Sequence, residues 1–327
     1  MTLKSFAAQF FGSLAAMTWL LASPASAGSV GYTQTSVPDG TDTPLQVGIW
    51  YPTTSHPSTQ PIGLFQQVVA SNGAVDGAGH PLVVVSHGTG GSLEEHDDTD
   101  LALAAAGFIV AAVEHTGDNY RDQSRATDLG ARPRAVHRVI DFMLTGWPGH
   151  AAIDPAKIGM FGFSAGGFTA LVAIGGVPDL SRVQPYCADH VEAFVCQVVK
   201  DHPPTGSAPV WIADPRIKAA VIAAPAIGFT FSPGGLANVH IPVQLWRAGA
   251  DHILPSPDYA EPVRDALPTP PEYHVAAGAD HFDFLAPCSA SLAAVVPQIC
   301  QEPDGFDRTA FHVLFNQEVV RFFKTKL

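Results

Sequence analysis

The sequence predicts an α/β fold: a mostly parallel central sheet with helices on both faces and one inserted loop or cap segment. Three observations predict it. Strand-like and helix-like stretches alternate from about residue 30 onward. Several of the strands are continuous apolar runs, as expected where both faces of a parallel sheet are covered. Hydrophobic residues make up 46% of the 327-residue chain, enough to fill a large core, and only 14% are charged, which does not fit a disordered segment.

The first 27 residues stand apart. Lys4 is the only charge in the first 37 residues and precedes a mostly apolar run from Phe6 to Leu21, after which Ala25-Ser26-Ala27 offers small residues for an export peptidase. This pattern predicts a signal peptide, residues 1–27, cleaved after Ala27. Gln9, Gly12 and Ser13 interrupt the run, which is short for a bilayer span of ~20 residues, so no stable membrane anchor is expected. The expectation is an exported protein, periplasmic or secreted, with residues 28–327 forming one domain.

Within that domain Gln46 to Tyr51 alternates in polarity and stops at Pro52, a strand signal. Leu82 to Val85 (LVVV) reads as a buried strand, Leu101 to Ala106 as a helix ending at Gly107, and Phe108 to Val113 as the next strand. Val136, Val139, Ile140, Met143 and Leu144 recur at helical spacing and stop near Gly146-Trp147-Pro148-Gly149. Lys157 to Phe163 is a strand, followed directly by a helix from Ala165 to Ile174. Residues 178–212, rich in proline and holding two cysteines, break the rhythm and read as the insertion. Ala219 to Ala224, Val243 to Trp246 and Tyr273 to Ala276 are further strands, with helices at Tyr259 to Leu267 and Phe311 to Phe323.

Ligands of such sheets bind beyond the carboxyl ends of the strands, and the chemistry-bearing residues fall there. Gly162-Phe163-Ser164-Ala165-Gly166-Gly167 lies where a strand meets a helix. A nucleophile at such a turn is exposed on a strained backbone, and the flanking glycines let strand and helix pass. A serine hydroxyl needs a base and a carboxylate to orient that base, in the chain order Ser, acid, His. Asp251 follows the strand at Val243 to Trp246, and His281 follows the strand at Tyr273 to Ala276. Asp280 and Asp283 are too close in sequence to His281 to orient it; His274 lies within a strand, and His252 sits beside Asp251. The expected catalytic residues are Ser164, Asp251 and His281. A tetrahedral intermediate needs two N–H donors, expected from Ala165 and, in the loop Ser86-His87-Gly88-Thr89-Gly90-Gly91, from Thr89.

Glu94, Glu95, His96, Asp97, Asp98 and Asp100 form an acidic cluster, expected to be solvated charge at a helix start rather than a cation site. His115-Thr116-Gly117-Asp118 follows a strand and is expected near the rim of the site without a catalytic role. No metal or other cofactor is implied. The net charge of -13, with 17 scattered basic residues, argues against nucleic acid or anionic lipid as a partner. Four cysteines, Cys187, Cys196, Cys288 and Cys300, fit an oxidising compartment; pairing neighbours would close two loops of roughly ten residues, each contributing ~3 kcal/mol. Three connectivities are open, and ligand-spaced residues for zinc are lacking.

Together, Arg132 to Leu144 (RPRAVHRVIDFML), GMFGFSAGG, LVVVSHGTGG and GADHFDFLAPC resemble bacterial relatives of platelet-activating factor acetylhydrolase and dienelactone hydrolase, over a span from about Trp50 to the last helix. The resemblance implies the α/β-hydrolase fold and a serine nucleophile, and it maps onto Ser164, Asp251, His281 and the amides of Thr89 and Ala165. Dienelactone hydrolases proper carry cysteine at the elbow, where this chain has Ser164, so lactone hydrolysis is not the expectation. The expected activity is hydrolysis of a small-molecule, lipid or polymer ester through an acyl-enzyme. A peptidase or amidase of the same fold is the first alternative, and a non-catalytic binding protein the second. Oligomeric state is not readable.

Overall fold

The computed structural model describes residues 28–205, 208–232 and 234–327, so the expected signal peptide lies outside the described residues. The chain enters through four strands, β1 (Ser29–Val37), β2 (Leu45–Thr53), β3 (Ser58–Ile62) and β4 (Phe65–Ser71). It continues as β5 (His80–Ser86), α1 (Asp97–Ala105), β6 (Ile109–Glu114), α2 (Ala131–Thr145), β7 (Ile153–Phe163) and α3 (Ala165–Ala173). Two short helices follow, α4 (Val183–Asp189) and α5 (Phe194–Asp201), then β8 (Ile217–Ala223), β9 (Val243–Ala248), α6 (Ala260–Ala266), β10 (Glu272–Ala276), α7 (Ala290–Val295) and α8 (Arg308–Lys326).

The strands form one sheet in the order β10-β9-β8-β7-β5-β6-β2-β1-β4-β3. From β10 to β6 every neighbouring pair is parallel, whereas β2 pairs antiparallel with both β6 and β1. The mostly parallel sheet predicted from the sequence is present.

Successive side chains of a strand point to opposite faces, so a strand covered on both sides must be apolar throughout. In β5, Leu82 and Val84 join the core on the face carrying α2 and α3, with Val139 and Phe168. Val83 and Val85 join the opposite core, with Leu103 of α1 and Phe315, Val319 and Phe323 of α8. This is the physical origin of the LVVV run.

Three strands, β1, β3 and β4, were not anticipated. Their sequences are largely polar (SVGYTQTSV, STQPI, FQQVVAS), and they sit at the end of the sheet beyond β2, where β4 alternates between buried and exposed positions over most of its length and β3 is mostly exposed. The stretch read as an insertion folds into α4 and α5, joined by a disulfide between Cys187 and Cys196. A second disulfide joins Cys288 to Cys300. Of the three possible connectivities, the structure holds the neighbour-to-neighbour one. No helix among the described residues is long and apolar enough to cross a membrane.

The acidic cluster departs from expectation. Asp97, Asp98 and Asp100 do occupy the first turn of α1, but Asp97 and Asp100 are buried, as is His96. The reason is tertiary: α1 packs against the strands, where Gln67 of β4 donates to the Asp97 carbonyl, and also against α8. His312 Nδ1 lies 2.7 Å from Asp98 Oδ2, and Asn316 Nδ2 donates to the same oxygen. Burial, reinforced by neighbouring carboxylates, pushes the carboxyls of Asp97 and Asp100 well above the usual range.

Candidate active site

Strand β7 ends at Phe163 and α3 begins at Ala165, leaving Ser164 between them at φ 54°, ψ -117°. A side chain is rarely held at positive φ, at a cost of order 1–3 kcal/mol, unless its surroundings over-determine it. Here they do. The Ser164 N–H donates to Ala223 of β8, while its carbonyl accepts from the N–H groups of Phe168 and Ala226. The flanking glycines are steric necessities: a Cβ on Gly162 would sit 2.1 Å from the Gly166 carbonyl oxygen, and one on Gly166 would sit 1.8 Å from that of Ser86.

The loops after β9 and β10 converge on this turn. His281 Nε2 lies 3.1 Å from Ser164 Oγ, and His281 Nδ1 lies 2.8 Å from Asp251 Oδ2. A carboxylate only accepts, so Nδ1 carries the hydrogen and Nε2 is free to accept from the serine hydroxyl. His281 is 2% exposed and Ser164 6%, so the chain of hydrogen bonds is shielded from water. Asp251 Oδ1 accepts from the N–H groups of Ile253 and Leu254, which fixes the carboxylate. The three residues nominated from the sequence are therefore brought together, although 117 positions separate Ser164 from His281.

The nearby acids hold the loop rather than the imidazole. Asp280 accepts from the His281 N–H and pairs with His252. Asp283 Oδ2 accepts from the Asp280 N–H, and its Oδ1 accepts from Arg308 Nε at 2.9 Å in a buried ion pair. Arg308 also donates to the Ile299 and Gln301 carbonyls, tying the loop to the segment closed by Cys288 and Cys300.

Thr89 and Ala165, the expected oxyanion donors, both line the cavity that opens at Ser164. The residues on either side of Thr89 are clamped by Glu95, expected in a solvated cluster, by Asp118, expected at the rim, and by Arg132, for which no such role is expected. Gly88 N–H donates to Glu95 Oε1 at 2.6 Å and Gly90 N–H to Asp118 Oδ1 at 3.0 Å. Arg132 donates through Nη1 to the His87 carbonyl, through Nη2 to the Gly88 carbonyl and through Nε to Asp118. Gly90 itself takes φ +68°, a left-handed conformation that glycine adopts at little cost. The stretch expected at the rim is buried beneath this loop: His115 Nε2 lies 2.8 Å from Ser86 Oγ, and His115 N–H donates to His87 Nε2.

The electrostatics follow from burial. His87 is pushed down to about 4 by burial and then by the Arg132 charge, and His115 falls well below the ordinary histidine value for the same reasons. Burial alone would raise Glu95, but contact with His96, the neighbouring His87 and the Gly88 N–H outweigh it and hold the carboxyl below its ordinary value. One signal for Arg132 was available: it lies in the first turn of α2, where a cation opposes the helix dipole and so needs another partner.

With a mostly parallel sheet, helices on both faces and a serine at the β7–α3 turn, the chain has the α/β-hydrolase fold. In overall shape the chain is similar to a ferulic acid esterase from Streptomyces cinnamoneus, with a TM-score of 0.64 and 19% identity over 94% of this chain and 92% of that one. Residues 62–137 match the family model of platelet-activating factor acetylhydrolase, isoform II. A curated relative, "Putative esterase NocK" of Nocardia uniformis subsp. tsuyamanensis, is 35% identical over 104 residues, 31% of this chain and 30% of that protein. The chain thus has the fold of the ferulic acid esterase, and its partial sequence similarities are to the acetylhydrolase family and to an esterase.

Proposed function

We propose that this protein hydrolyses a carboxylic ester through an acyl-enzyme on Ser164, with His281 as base and Asp251 as the carboxylate that orients it. One observation carries the reading: a hydrogen-bonded chain from Asp251 through His281 to Ser164 meets the serine at a strained turn, beside a cavity. In this reaction Ser164 Oγ bonds to the ester carbonyl carbon as its proton passes to His281 Nε2. The N–H groups of Thr89 and Ala165 receive the oxyanion. The carbon–oxygen bond to the alcohol then breaks as His281 returns the proton to the leaving oxygen. Water, deprotonated by His281, attacks the acyl-enzyme, and the acid leaves as Ser164 regains its proton. Similarity to esterases supports the ester as the bond cleaved, and two disulfides support export into an oxidising compartment.

The test is covalent labelling. A fluorophosphonate probe is expected to modify Ser164, located by mass spectrometry, and to leave Ser164→Ala unmodified. Absence of labelling in the folded native protein would overturn the reading.

A further inference from the structure

The cavity at Ser164 has a volume of about 420 Å³, within the ~300–1,000 Å³ range of small-molecule pockets. Its walls include Ser164, Thr89 and Ala165 but, among the described residues, not His281. The leaving alcohol must meet His281 to be protonated, so the cavity lies on the side of the carbonyl that stays bonded to serine. It is the acyl side. Asp128 is the one charged group among the described lining residues, and no lysine, arginine or histidine is among them, so an acyl group carrying an anion finds no partner there.

Much of the wall comes from α5. Phe194, Val195, Val198 and Val199 recur at helical spacing and line the cavity, with Val183 of α4. The two helices are held differently. In α4, Tyr186 stacks on Phe229 at 4.1 Å and meets Tyr259 edge-on at 6.0 Å, which ties that helix to the core. The eight residues of α5 are too few to hold a helix alone. Val195 packs against the core, and the helix is fastened to α4 through the bond from Cys196 to Cys187, while Gln197 Nε2 donates to the Val191 carbonyl in the connecting turn.

We infer that α5 is the specificity wall for the acyl group: the site takes esters of uncharged apolar acids, and the Cys187–Cys196 bond holds α5 at the depth that sets the chain length accepted. The inference rests on Ser164 being the residue acylated.

Two ester series test it. With p-nitrophenol as the fixed alcohol and linear acyl groups from acetyl to dodecanoyl, kcat/KM is expected to rise about fourfold per methylene until the cavity is full, then to fall. With a fixed acyl group, lengthening an alkyl alcohol is expected to change kcat/KM less than about twofold per methylene. Val198→Phe should move the optimum to a shorter chain and Phe194→Ala to a longer one. Cys187→Ser with Cys196→Ser, checked for folding by circular dichroism, should reduce the ratio of octanoyl to acetyl kcat/KM. An optimum that follows the alcohol, or one unmoved by both α5 substitutions in protein still labelled at Ser164, would overturn the inference alone. Failure of short and long fluorophosphonates alike to label Ser164 would instead remove the reading beneath it.

Discussion

Ser164 holds backbone angles that a serine tolerates only under constraint, and the constraint comes from residues that carry no chemistry. Gly166 is the clearest case. Its added Cβ would meet the backbone carbonyls of Ser86 and His87 at 1.8 and 2.8 Å, and backbone cannot rotate away as a flexible side chain can. Gly166→Ala is therefore expected to destabilise the fold at the upper end of the ~1–3 kcal/mol that overpacking typically costs, read as a lowered denaturant midpoint. Arg132 acts on the other wall of the site. Through the His87 and Gly88 carbonyls and Asp118 it holds the backbone around Thr89, which makes it a positioning residue. Lysine keeps the charge but loses the forked donor geometry. If Thr89 is an oxyanion donor, Arg132→Lys should lower kcat by a substantial part of the ~100-fold that losing one such donor costs, with little change in KM. An equal rise in KM at constant kcat would place the role of Arg132 in substrate binding instead.

At the scale of elements, the loop bearing His281 is anchored from below by Asp283, Arg308 and the segment closed by Cys288 and Cys300. That bond closes a sequence separation of 12, which the loop-entropy model equates with about 3 kcal/mol. Cys288→Ser with Cys300→Ser should lower stability in chemical denaturation by an amount of that order. It should also speed amide exchange near His281. The buried strands of the parallel half were legible in the sequence because burial on both faces leaves an uninterrupted apolar run. Strands β1, β3 and β4 were not, because largely polar strands at the mixed end of the sheet gain their place from neighbours rather than from a pattern of their own. The same limit applies to α1, whose acidic first turn reads as solvent-facing until the strands and α8 are laid against it.

Across the whole molecule, buried ionisable groups act on stability in opposite directions with pH. His87 and His115 have folded-state values below the unfolded value of ~6.5, so below that pH the unfolded chain binds protons that the folded chain refuses. Their contribution is complete above ~6.5 and is lost as pH falls, for His87 toward about 4. Asp97 and Asp100 are raised, so their contribution is present below the unfolded carboxyl value and is lost as pH rises through their folded values. Thermal melts between pH 6.5 and 4.5 should separate the two. The fall in midpoint on acidification should be shallower in His87→Gln and steeper in Asp100→Asn than in the native protein. An unchanged slope in His87→Gln would mean that its imidazole is protonated equally in both states.

The parallel sheet, the turn at Ser164, the order of serine, acid and histidine, and the four cysteines are all legible in the chain before it folds. Each is a local signal: apolar runs, glycines beside a serine, and polar residues just after strands. The distances that join Asp251, His281 and Ser164, the pairing of the cysteines, and the burial of Asp97, Asp100 and His115 arise only in the assembled fold. So does the clamp of Glu95, Asp118 and Arg132 around Thr89. These depend on segments far apart in the chain meeting across one sheet, and a polar residue shows no sign in its own neighbourhood of which distant partner will remove it from water.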